Sequence, residues 1–511
     1  MSRKRYIFRR ATRWYTSWTH IFVLLLMIIG STFVLQRVQS GEIRPLNEPT
    51  PTPTRVPESY SQEAQTHFLA GNLDAAIESY RLAIESSPEN GLLKAELARI
   101  LTYSTAAQTT DAEKQRRYEE ALEVARQGVI DSPDASATHA ALAFTLDWYS
   151  DFHRAITRQT ELGEKMLLEA EQEIIKAVTL DETDILAQVY RAEIMIDQQR
   201  WDQAQSALRY VLERAPDLWE AHRVNSLYLE YQADYMGSIE ALERAVALAP
   251  NMTFLYIDLG MAWRNQANSM WNQPSLSLEY YDRAIGYFAQ AVALNERLGI
   301  KDPLPYLGIG RSYAQQGEFL AASLNMNKAL QFDPTNPNVY AQLGMVYRQA
   351  RNYEDAIKAL GCAVRGCPEE VTCDLRGCNP DIDPPITIEK MDLSASTVVY
   401  YYTYASLLSG MYVPRHPERS KYCDMSMELV REIKSSQFAE PVVLDILAES
   451  EAICADVPPG GEQRATPTPT PDPNHTATPE GEQTAGPTPA FTLTPTPGAD
   501  LTETPAPGSD S

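Results

Sequence analysis

The six cysteines carry the densest chemistry in the chain, and all of them fall late: Cys362, Cys367, Cys373, Cys378, Cys423 and Cys454. The first four form two Cys-x4-Cys pairs. Thiols this close either close disulfides or ligate a metal. The spacing is loose for zinc, and no histidine is interleaved. An even, clustered set outside the reducing cytosol reads as disulfides. The connectivity stays open. Because Cys423 and Cys454 lie apart from the first four, a bridge between them is one hypothesis, and it would pin a closing helix to the last hairpin.

Other reactive residues are sparse. The seven histidines, His20, His67, His139, His153, His222, His416 and His475, are scattered and form no i, i+4 metal pair. Gly308-Ile309-Gly310 lacks the third glycine of a nucleotide loop. Asp381-Ile382-Asp383, beside Asn379, lacks the ligand spacing of a calcium loop. Tyr400 to Tyr404 holds four tyrosines in five residues. They suit either core packing or a stacking platform for sugars. No catalytic constellation emerges, so no enzyme, metal or cofactor is expected.

The two ends differ in character from the body. The first 40 residues hold seven basic residues and no acid, and the remainder sets 37 basic against 68 acidic residues, a balance of −31. That excess argues against nucleic-acid binding. Residues 1–20 form a basic segment, and an apolar run follows at 21–38. With Trp14, Tyr15 and Trp18 as interfacial aromatics, it reads as a transmembrane signal anchor with a cytoplasmic N-terminus. A cleaved signal peptide, cut near Val38-Gln39-Ser40, is the rival reading. Residues 39–57 are a Pro/Thr linker. Residues 458–511, with Thr466-Pro467-Thr468-Pro469, cannot bury a core and read as a disordered tail. Asn251-Met252-Thr253 and Asn474-His475-Thr476 match the N-glycosylation sequon, as chance alone would also allow.

Between the ends the chain reads as helix after helix. The pattern Ala-x6-Ala-x4-Pro recurs as Ala76/Ala83/Pro88, Ala322/Ala329/Pro334 and Ala356/Ala363/Pro368. Small residues at i and i+7 share one helical face and let a neighbour approach. Ala170 to Ala204, Ala204 to Ser238 and Ala322 to Ala356 are each 34 apart. Paired amphipathic helices at that period mark a stacked solenoid. Three longer intervals place inserts near 103–116, 149–161 and 268–279, between the two helices of repeats two, three and six. They either project from one edge of the solenoid or lengthen the helices.

Repeat seven carries Tyr306, Ile309, Gly310 and Tyr313, a turn at Gly317, then Ala322, Met326, Ala329 and Pro334. Repeat eight carries Tyr340, Leu343, Gly344, Tyr347, Ala356, Leu360, Ala363 and Pro368. These residues resemble the tetratricopeptide repeat family, of the bacterial membrane-anchored extracytoplasmic type. The resemblance implies an all-α fold: a right-handed superhelical solenoid of helix–turn–helix repeats. Eight repeats are expected over 58–368, a cysteine-containing loop over 369–392, and a degenerate ninth hairpin with a capping helix over 393–457. It also implies a concave groove lined by first-helix side chains. Carried over residue by residue, these are Phe144, Asp147 and Trp148, then Arg223, Leu227, Glu230 and Tyr231. Met261, Arg264 and Asn265 follow, then Arg311, Gln315, Met345, Arg348 and Gln349. Four of them are arginines in a strongly acidic body.

The expected function is that of a membrane-anchored scaffold holding a protein or peptide partner in this groove. The alternative is a structural part of a cell-surface assembly that self-associates along its insert edge.

Overall fold

The computed structural model describes residues 18–39, 56–157, 159–379 and 382–455. A first helix, α1 (Trp18–Gln39), stands apart from eight helical hairpins. These are α2 (Pro57–Leu69) with α3 (Leu73–Ser86), α4 (Gly91–Ser104) with α5 (Asp111–Asp131), and α6 (Ser136–Phe152) with α7 (Thr160–Leu180). Next come α8 (Ile185–Asp197) with α9 (Trp201–Arg214), α10 (Trp219–Tyr231) with α11 (Tyr235–Leu248), and α12 (Thr253–Ser269) with α13 (Pro274–Leu298). The last two are α14 (Leu304–Gln316) with α15 (Phe319–Phe332), and α16 (Pro337–Gln349) with α17 (Tyr353–Arg365). A short helix α18 (Glu369–Arg376) precedes a final group, α19 (Val398–Gly410), α20 (Tyr422–Lys434) and α21 (Pro441–Cys454).

Local chemistry sets these boundaries. Five of the hairpins turn through a left-handed residue. It is glycine at Gly71 and Gly317, where that conformation carries no Cβ penalty, but Gln199, Ala233 and Arg351 hold φ near +60° at the matching turns. Asn72, Asp234 and Asn352 then cap the second helices through backbone amides. The alanine pairs Ala76/Ala83, Ala322/Ala329 and Ala356/Ala363 are fully buried where helices cross. In hairpins three, five, six and eight a polar residue early in the first helix ties it to the preceding inter-hairpin turn. Tyr340 Oη donates to the Pro334 carbonyl (3.0 Å), Tyr256 Oη to Pro250 (3.0 Å), and the His222 and His139 rings reach Pro216 (2.7 Å) and Pro133 (2.9 Å). Those two histidines are structural.

The three inserts do not project as loops. They are taken up as extra helical turns, in α5 at 21 residues, α6 and α7 at 17 and 21, and α12 and α13 at 17 and 25. Thr110 and Glu113 form a reciprocal capping box that starts α5 early. The segment His153–Thr157 winds as a π-helix between α6 and α7. The 369–392 segment also differs from a plain loop. Pro368, acidic Glu369 and Glu370, and left-handed Gly377 bracket α18, and Cys367 bridges Ile388.

The cysteines pair as Cys362–Cys367, Cys373–Cys378 and Cys423–Cys454. The third bridge fastens α21 to α20 over the buried side chains Leu429, Ile433 and Leu447. Tyr401 and Tyr404 are buried in the same core, so the tyrosine run is packing. The basic segment before Trp18, the linker up to residue 55 and the tail from 456 lie outside the described residues. The expected span falls in α1, where the side chains of Val34, Leu35 and Val38 are likewise outside them. Over the described residues no helix is long and apolar enough to cross a membrane.

The main departure from an open solenoid is at the axis. The first six hairpins curl until hairpins one and two touch hairpins five and six. Arg99 Nη1 meets Glu220 Oε1 at 3.2 Å, and Thr109 Oγ1 donates to the Lys301 carbonyl at 2.5 Å. Asn251 Nδ2 donates to the Leu69 carbonyl at 3.0 Å. Beside it, a Cβ on Gly71 would stand 2.1 Å from the Asn251 carbonyl oxygen, so only glycine fits. The Asn251 sequon is thus built into the seam of a closed ring.

Candidate functional site

Closure fills the groove of the first hairpins with their own side chains. Tyr103 on α4 is fully buried, with the rings of Phe144, Trp148, Trp219 and Phe254 around it at centroid distances of 5.0 to 5.6 Å. Arg99 lies over the Phe68 ring at 4.8 Å. Phe144 and Asp147 are each 1% exposed, and Arg223 is 8% exposed. Arg223 is bound to Glu193 at 2.5 Å, and Trp148 Nε1 donates to the same glutamate at 3.1 Å. Of these four positions expected on an open groove, Phe144 and Asp147 are packed into the core, and Trp148 and Arg223 reach only the cavity that closure leaves. The curvature accumulated over six repeats brings opposite first helices into contact, and their side chains become a second core.

What remains of the axis is a cavity of about 510 Å³. Leu227, Glu230, Met261, Arg264 and Asn265 do line it, together with Trp148 and Arg223. Asn265 Nδ2 donates to Glu230 Oε1 at 2.6 Å. Tyr231, at the end of α10, is exposed and packs at a tilt against Trp201 with centroids 5.6 Å apart.

Carboxyl groups crowd the same region. Burial pushes Asp197 up to about 8, with the Asp151 and Glu193 charges adding to it. Burial also raises Asp147 well above the usual carboxylate range, reinforced by Asp197 and Asp151. Asp258 rises to about 7, again through burial, against the pull of Arg223. No group of three or more His, Cys, Asp or Glu side chains has the arrangement of a metal site among the described residues. Near the acidic turn, Asp383 accepts from the Asn379 amide at 2.7 Å; Asp381 lies outside the described residues.

Beyond the ring the inner face stays open. Arg311, Gln315, Arg348 and Gln349 are exposed, and Met345 is half-buried. Arg311 Nε donates to Gln342 Oε1 at 2.6 Å. Its guanidinium is close enough to Arg264 to repel it, and burial together with that repulsion lowers Arg264 to about 10. Arg311 in turn faces Tyr400 of α19. The arginines therefore divide. Arg223 is consumed in a buried ion pair, Arg264 lines the central cavity, and Arg311 and Arg348 remain on the open face.

Sequence reasoning missed Arg99, Tyr103, Glu193, Glu220, Asp197 and Asp258. The available signal was a coincidence of type: large aromatics and opposite charges at first-helix positions of repeats that face each other across the axis.

Comparison with known proteins agrees with this architecture. Residues 57–90 match a family model described as tetratricopeptide repeat, and residues 310–350 match one described as TPR repeat. No curated protein matches the sequence. Among solved structures, the chain is similar to the human IFIT1 dimer with PPP-AAAA, at 14% identity over 79% of this chain and 91% of that one, TM-score 0.48. It is similar to TTC0263, a thermophilic TPR protein of Thermus thermophilus, at 17% identity over 40% and 98%, TM-score 0.33. It is also similar to the APC/C hetero-tetramer Cut9–Hcn1, at 16% identity over 62% and 53%, TM-score 0.42, so it spans about half the length of that relative. The chain thus carries tetratricopeptide repeats at 57–90 and 310–350, within a continuous stack of helical hairpins.

Proposed function

We propose that this repeat protein is a membrane-anchored extracytoplasmic scaffold that binds an acidic, extended segment of a partner protein on the inner face of hairpins seven and eight. One observation carries the reading: most first-helix side chains of the ring pack against one another or line its central cavity, whereas Arg311, Gln315, Arg348 and Gln349 remain exposed. A guanidinium grips carboxylates through a planar fork. Arginines held open on a body of net charge −24 form a local exception to its field. That field repels acidic ligands at long range and so slows their approach at low salt. The anchor rests on the apolar run at 21–38 and the basic residues before it.

The test is fluorescence anisotropy on the full-length chain with extended peptides, acidic and neutral. Acidic peptides should bind, and the double variant Arg311→Ala/Arg348→Ala should lose at least about tenfold in affinity with unchanged helical circular dichroism. Equal binding by the variant overturns the site. A reporter active only in the cytoplasm, fused after Val457, should stay silent; a strong signal overturns the topology.

A further inference from the structure

The cavity left at the centre of the ring holds ionisable groups of opposite kind that have no ion partner. Asp258 and Arg264 both line it from α12, and neither makes an ion pair or a side-chain hydrogen bond among the described residues. Their neighbours differ: Glu193 and Arg223 are ion-paired at 2.5 Å, and Glu230 is held by Asn265 at 2.6 Å without a cation of its own. A desolvated charge without a counter-charge is costly. A guest that supplies both counter-charges relieves both groups at once.

Spacing and volume set the kind of guest. Asp258 and Arg264 are six residues apart on one helix, about 9 Å along its axis. An extended chain spans at most about 3.5 Å per residue, so two or three residues cover that distance. The cavity, about 510 Å³, falls in the range of small-ligand sites, roughly 300–1,000 Å³. Trp148, Phe152, Leu227 and Met261 supply apolar wall. We propose that the cavity binds an unblocked di- or tripeptide, its ammonium held at Asp258 and Glu230 and its carboxylate at Arg264. The raised Asp258 and lowered Arg264 fit groups awaiting counter-charges.

This site is separate from the partner face, which uses Arg311 and Arg348. Isothermal titration calorimetry and thermal shift on the full-length chain test it with four probes: trialanine, N-acetyl-trialanine amide, glutarate and cadaverine. Trialanine should bind saturably and raise the melting temperature. The doubly blocked peptide, the dicarboxylate and the diamine should each bind at least about tenfold more weakly. Asp258→Asn and Arg264→Gln should each weaken trialanine binding by a similar factor. Should a variant fail to fold, the comparison of free with blocked peptide on the parent chain still decides. Equal binding of the blocked peptide, or no trialanine binding at about 10 mM, overturns the proposal. Either result leaves the binding of acidic peptides at Arg311 and Arg348 untouched.

Discussion

Tyr103 and Phe254 stack face to face, ring centroids 5.6 Å apart and planes 7° from parallel, although one belongs to the second hairpin and the other to the sixth. In an open solenoid such residues never meet, because each repeat touches only its neighbours. Here the contact ties the second hairpin directly to the sixth.

Truncating that contact should therefore act at a distance. Tyr103→Ala removes a fully buried ring, which costs about 3–5 kcal/mol in well-packed cores. Hydrogen exchange should rise at the Gly71 turn and around Asn251 and Met252 as well as in α4. Exchange that rises in α4 and its sequence neighbours alone would mean that the ring does not act as a unit.

The Arg99–Glu220 pair tests the polar half of the same closure. Both side chains are buried, and burial pushes the Glu220 carboxyl up despite Arg99 beside it. Glu220→Ala leaves Nη1 of the buried Arg99 guanidinium without its partner, while Nη2 stays on Glu96 at 2.7 Å, and should cost about 1–3 kcal/mol in chemical denaturation. The double variant Arg99→Met/Glu220→Leu should recover most of that loss. A double variant as unstable as the single one would show that the pair itself, and not the stranded charge, holds the ring.

The hairpins were legible in the sequence because their signals are local. Gly71 and Gly317 mark turns, Ala322 and Ala329 mark a close crossing, and Pro334 ends a helix. Closure was not legible. It depends on a small rotation per repeat, summed over six repeats, which no single residue encodes. The same summation removed Phe144, Asp147, Trp148 and Arg223 from an open groove while leaving Arg311 and Arg348 on one. The α18 helix had local signals in Pro368, Glu369 and Gly377, but the flanking cysteines drew the reading toward a loop. The insert lengths were readable, yet not whether they would extend helices, since Thr110 and Glu113 form their box only when α5 begins early.

The Cys423–Cys454 bridge should matter locally. It closes α21 onto α20 at the far end from the ring. Cys423→Ser/Cys454→Ser should destabilise the last three helices by about 2–5 kcal/mol. Limited proteolysis should then cut between α20 and α21, near Gln437 to Glu440, while the ring stays protected. Equal protection of α21 with and without the bridge would assign its hold to the Leu447 packing alone.

The buried carboxyls set a pH dependence whose sign is opposite to that of most acidic proteins. Asp197 stands at about 8 and Asp258 at about 7, against an ordinary value of 3.8, and burial is the chief cause in each. The groups facing Asp197 are Asp151 and Glu193, which raise it, and Arg154 and Asp147, which lower it. Those facing Asp258 are Arg223, which lowers it, and Glu230 and Glu193, which raise it. Between pH 4 and 8 the folded chain thus holds protons that the unfolded chain has released. Stability from these groups is complete below about pH 4 and is lost as pH rises through 7 and 8. Lowered carboxyls such as Glu173 and Glu113 work in the other direction, but only below their ordinary value of 4.5. The melting temperature should therefore fall between pH 5.5 and 8.5, by on the order of 5 °C. Asp197→Asn with Asp258→Asn should flatten that slope, because an amide keeps the hydrogen-bonding shape without the titration. A melting temperature that rises over this interval would show that these carboxyls are ionised and solvated in the folded ring.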